Sequence, residues 1–187
     1  MRGHGQMTTL PQEDPTTRLF LRHALATLAY RAGKTVRGTP EAFGQFRANP
    51  KSPSCVEILA HMGDLMDWVL RMAKGESKWT SATPLPWDEE IVRFHASIQA
   101  VDDYLASDGP LLWEPGRMFQ GGIADALTHT GQLAMLRRLS GFKMKGENSV
   151  TCFFGKRINP GGPSKSIRGS TMPMWGSIPS TSILSSP

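Results

Sequence analysis

Four stretches of the chain repeat apolar residues at intervals of three and four, the period that gathers them on one face of an α-helix. The first follows Asp14-Pro15, an N-cap with proline at the first helical position, and runs through Leu19, Phe20, Leu25, Leu28 and Ala29 to Gly33, read as a C-cap. The second opens at Ser54-Cys55-Val56-Glu57, which has the Ser-x-x-Glu form of a capping box. Ile58, Leu59, Met62, Leu65, Met66, Val69 and Leu70 then mark an apolar face to about Ala73, and Gly75 ends the helix. Thr83–Pro86 turns the chain into a third pattern of Ile91, Phe94, Ile98, Val101 and Leu105, broken by Asp108-Gly109-Pro110. The last helix is expected from Pro115 to about Leu139, before Gly141.

Between the first two helices, Lys34–Pro53 contains Gly38, Pro40, Gly44, Pro50 and Pro53, so it reads as a long crossover with one helical turn near Glu41–Arg47. No segment alternates like a strand, and no internal repeat is visible. The expected architecture is therefore all-α, a four-helix bundle over residues 15–147 with a long first crossover connection. A flexible N-terminus (1–14) would precede it and an irregular C-terminal extension (148–187) would follow. From Gly155 onward Gly, Pro and Ser exceed half of the residues, although Phe153, Phe154, Met172, Met174 and Trp175 remain available for docking.

Composition adds little to that picture until the charge is located. The 187 residues are 39% hydrophobic and 20% charged, ordinary for a globular protein, with a net charge of +5. Residues 1–142 hold 15 basic and 15 acidic side chains, and the excess sits in Lys143, Lys145, Lys156, Arg157, Lys165 and Arg168 against Glu147. Scattered basic residues in a Gly/Pro/Ser-rich extension read as a solvated tail, so direct nucleic-acid binding is a minor hypothesis. No apolar run reaches the ~18 residues of a membrane span and no secretory signal opens the chain, which points to the cytoplasm. Cys55 and Cys152 form neither a disulfide framework nor a CxxC site and read as ordinary thiols.

The candidate chemistry lies on the last helix. Asp125 and His129 are four residues apart, one turn along the same face, a spacing that suits two ligands of one metal as well as it suits a solvated polar pair. Gln132 lies a turn further along this stripe. A third ligand has to come from another helix, and His61, among Ile58, Met62 and Leu65, is the best placed. An acid and imidazoles buried in a bundle would need a partner such as a divalent cation. Asp64 and Asp67 share the polar flank of His61, and either could hydrogen-bond the ring nitrogen turned away from the metal; Asp64 could alternatively serve as a base. His23 and His95 are further candidates to line the cavity.

Two segments resemble the DinB/YfiT-like superfamily. Leu127-Thr128-His129-Thr130-Gly131-Gln132-Leu133-Ala134-Met135-Leu136-Arg137-Arg138-Leu139 is similar to its last-helix signature, a histidine before a Gly-Gln step and a leucine-arginine run. Ile58-Leu59-Ala60-His61-Met62-Gly63-Asp64-Leu65-Met66-Asp67-Trp68 is similar to the motif around the family's first metal-binding histidine. The resemblance covers about residues 15–147 and implies a bundle with one divalent metal held by a helix-two histidine and an H-x3-H pair. Carried over by position, these ligands are His61, Asp125 and His129, with Asp125 standing where the family commonly has histidine. Two imidazoles and a carboxylate suit zinc or nickel, with manganese and iron as alternatives.

Three protein ligands leave a position for water or substrate. The implied activity is a thiol-dependent transferase, acting through a low-molecular-weight thiol, or a hydrolase, on a small-molecule substrate. A non-catalytic metal- or ligand-binding bundle is the alternative. The family also implies a homodimer, for which Trp68, Trp79, Trp87 and Trp113 are candidate anchors, although core packing explains them equally well.

Overall fold

A computed structural model describes residues 15–144, and every element among them is helical. The expectations for the N-terminus, the 148–187 extension, His4 and Cys152 fall outside the described residues. In chain order the elements are α1 (Pro15–Val36), α2 (Glu41–Gly44), α3 (Cys55–Ala73), α4 (Trp87–Ala106), α5 (Pro115–Met118), a π-helical turn (Phe119–Ile123) and α6 (Ala124–Leu139). None of these helices is long and apolar enough to cross a membrane.

Most boundaries follow from local chemistry. Ser54 and Glu57 form the anticipated capping box, in which the Ser54 N–H donates to Glu57 at 2.7 Å and the Glu57 N–H donates to Ser54 Oγ at 3.3 Å. Arg47 adds a guanidinium, and together these donors hold the Glu57 carboxyl down at about 2. At the start of α4, Asp88, Glu89 and Glu90 complement the positive end of the helix. One boundary differs from the sequence reading: α1 continues past Gly33, which is buried inside it, with His95 Nε2 within 3.3 Å of where a Cβ would lie. The left-handed residue that follows α1 is Gly38, at φ +68°.

The long helices pack in consecutive pairs, α3 on α4, α4 on α1, α1 on α6 and α6 on α3. Leu25 and Leu28 from α1, Leu59, Met62 and Met66 from α3, Phe94, Ile98 and Val101 from α4, and Ala126 and Leu133 from α6 are buried between them. Burial of each larger side chain contributes roughly 1.5–3 kcal/mol before conformational entropy is subtracted. Arg22 joins α1 to α4 through two hydrogen bonds to Asp102, at 2.8 and 3.1 Å. Arg137 on α6 donates to the carbonyls of Lys34, Thr35 and Arg37 at the C-terminal end of α1.

The crossover between α1 and α3 is packed rather than loose. Fully buried Trp87 meets Phe43 edge to face, and its indole N–H donates to Thr39 Oγ1 at 3.0 Å, so this tryptophan belongs to the core. Cys55 is also core, and burial pushes its thiol up to about 12, which makes it a poor nucleophile.

Candidate metal centre

The π turn governs where α6 lies. Gly121 and Gly122 fall within it, and a Cβ on Gly122 would overlap the Cγ2 methyl of Val69 on α3. The missing side chain therefore lets the two helices approach, while the extra residue of the π turn rotates everything that follows it. Asp125, near the start of α6, and His129, one turn later, both face the α3–α6 seam as a result. The periodicity of residues 115–139 anticipates a continuous helix, and only the Gly-Gly pair hints at this interruption.

Across the seam stands His61 of α3. One Asp125 carboxylate oxygen lies 3.8 Å from His61 Nε2 and the other 3.6 Å from His129 Nε2. The two imidazole rings are 4.8 Å apart between centroids and nearly perpendicular, at 87°. One donor atom from each of the three residues fits within 4.8 Å of the other two. Ligands held tetrahedrally at zinc–nitrogen and zinc–oxygen bond lengths stand about 3.4 Å from one another. The two carboxylate–imidazole separations, each to a different oxygen, are slightly wider and the donor set as a whole spans up to 4.8 Å, so the side chains would have to draw together around an ion.

Orientation of His129 is controlled by Gln132, whose Oε1 accepts from ring Nδ1 at 2.9 Å. That bond puts the proton on Nδ1 and leaves the Nε2 lone pair for the seam. The place of Gln132 on the polar stripe is legible in the sequence, but the bond to His129 is not. His61 is flanked instead by Trp79, with ring centroids 5.6 Å apart, and Trp79 in turn packs edge to face on Trp68. Trp68 also fixes the connection between α3 and α4, since its indole N–H donates to the Ser77 carbonyl at 3.2 Å.

Asp64 is placed differently from the expectation that it would support His61. It is buried, and its oxygens accept from Arg93 at 3.0 Å and from the Ala82 N–H at 3.1 Å. Although it shares the broad face of α3 that carries His61, its carboxylate is engaged by Arg93 of α4 and by the α3–α4 connection rather than by the histidine. Its neighbour Asp67 has its carboxyl pushed up, chiefly by burial, against the opposing influence of Arg93. His23 is exposed, and His95 uses Nδ1 on the Ile91 carbonyl at 2.8 Å, so neither histidine joins the cluster.

The three side chains are less buried than the sequence predicts. The side chains of His61 and Asp125 are 40% and 43% exposed and that of His129 is 20% exposed, so water reaches all three. Intolerable burial is not what favours a cation here. The stronger argument is convergence: two imidazole nitrogens flank a carboxylate that meets no Lys or Arg among the described residues. Such a donor set is open on its solvent side. Compared with protein-family models, curated protein sequences and solved structures, the chain matches none.

Proposed function

We propose that this chain is a DinB/YfiT-like four-helix bundle that holds one divalent metal on His61, Asp125 and His129 and uses it on a small-molecule substrate. The observation that carries the reading is the meeting of these side chains from two helices within 4.8 Å. The helix pairing and the two sequence motifs support the same family assignment. Zinc or nickel fits the donor set best, with manganese and iron next.

A metal held there supplies a Lewis acid for hydrolysis or for activation of a low-molecular-weight thiol toward transfer. The protein's own contribution is positional. Gln132 keeps the His129 proton on Nδ1, Asp125 brings negative charge between the imidazoles, and Trp79 shields one side of His61. The open side leaves room for substrate.

Asp64 gives specific support to a second reading, a metal-binding bundle without catalysis. Its two carboxylate oxygens are engaged by Arg93 and Ala82, leaving the cluster without a dedicated base. Elemental analysis of untagged protein tests the metal claim: wild type should hold close to one equivalent, and His61→Ala and His129→Ala should hold little. Equal content in all three would refute it. Turnover of ester, amide or electrophilic probes with and without added thiols then separates hydrolase from transferase, and silence in both favours the binding module.

A further inference from the structure

Beside Asp125 the surface has a broad, open depression of about 640 Å³ lined by Trp68, Trp113, Arg117 and Thr128, with buried Met72 beneath it. The apolar side is built mainly from α3 and from the segment preceding α5. Along the other side, Arg117 of α5, Gly121 of the π turn, and Ala124 and Thr128 of α6 follow one another.

Arg117 contrasts with the arginines that tie the helices together. Arg22, Arg93 and Arg137 direct their guanidinium groups to carboxylates or carbonyls of the protein itself. The exposed Arg117 side chain makes no hydrogen bond or ion pair among the described residues, and only its backbone N–H is engaged, by Glu114. Trp113 beside it likewise has no indole hydrogen bond among them. A fork of donors beside an aromatic surface matches a ligand with an anionic head and an apolar body.

We propose that this depression is the substrate subsite and that it selects an elongated apolar carboxylate. Arg117 binds the carboxylate, Trp68 and Trp113 bind the body, and the far end reaches Asp125. Arg117 and Asp125 stand on either side of the π turn, so the carboxylate and the reacting group lie at opposite ends of the ligand. One planar bidentate cation against an apolar wall favours a carboxylate over a phosphate, which would call for more donors.

The proposal rests on the metal reading only for which end of the ligand reacts, so the anion subsite is tested with and without metal. Calorimetric titration of zinc-loaded and EDTA-treated protein with 4-phenylbutyrate and with 4-phenylbutyramide compares ligands that differ only in charge at the head. The acid should bind about tenfold more tightly than the amide in both preparations. Arg117→Gln should abolish the preference and Arg117→Lys should retain part of it, while Trp113→Ala should weaken both ligands alike. Equal affinity for acid and amide in wild type, or an undiminished preference in Arg117→Gln, would overturn the proposal. Arg117-dependent binding by protein that retains no zinc supports the subsite and removes the metal reading alone. Zinc binding with no acid preference removes the subsite alone.

Discussion

Helix α3 serves two polar clusters, and they are built on opposite principles. Toward α4 it presents Asp64 to Arg93, which also bonds Glu90 at 2.6 Å and the Ala60 carbonyl at 2.7 Å. Glu90 is fully buried, and its second oxygen accepts from the Leu85 N–H. Toward α6 the same helix presents His61 to Asp125 and His129. The first cluster contains its own cation and is closed; the second gathers electron-pair donors, contains no Lys or Arg among the described residues, and is half open. Buried charge is tolerable only with good partners, so the α4 side reads as architecture. Donors left converging at a wet surface read as a place for something that arrives from outside.

Removal of Arg93 should break the closed side most severely. Arg93→Met leaves Glu90 and Asp64 buried without their guanidinium, and a loss of about 3–5 kcal/mol in urea unfolding is expected. A change below about 1 kcal/mol would mean that the network is solvated and that the contrast between the clusters is false.

A smaller but more pointed effect is expected at the seam itself. Gly122→Ala puts a methyl against Val69, and overpacking of this kind typically costs about 1–3 kcal/mol. Because the helices must move apart, metal content should fall along with stability, and pairing the change with Val69→Ala should restore both. Full metal content in the single variant would separate α6 placement from the site.

The mildest structural perturbation falls on the open side. Gln132 is exposed, so Gln132→Ala should leave urea stability within about 0.5 kcal/mol of wild type. Loss of its hold on His129 should nevertheless weaken zinc binding about 10- to 100-fold in a competitive chelator titration. Loading should also decline in acid for every variant, since a protonated imidazole cannot ligate. Unaltered affinity in Gln132→Ala would show that the ring finds its orientation without help.

Much of the helical layout is legible in the sequence because its signals are local. The Ser54–Glu57 capping box and the 3.6-residue apolar period each depend on neighbours within one or two turns, and each has its counterpart in the fold. Gly33 shows where that logic stops: a glycine near the end of a periodic run has the same local signature as a C-cap, and only the packing of His95 from α4 reveals it as an interior position.

By itself, then, the sequence determined the helix-forming segments, the all-α class and the one-turn spacing of Asp125 and His129, all consequences of short-range geometry. The tertiary structure decided that His61 meets that pair while Asp64, three residues away, turns to Arg93. It also supplied the π turn and the closeness of Gly122 to Val69, on which the meeting depends. Angular phase explains the difference: a single residue inserted in one helix rotates every later side chain by about 100°, and only contact between helices says which partner each will face.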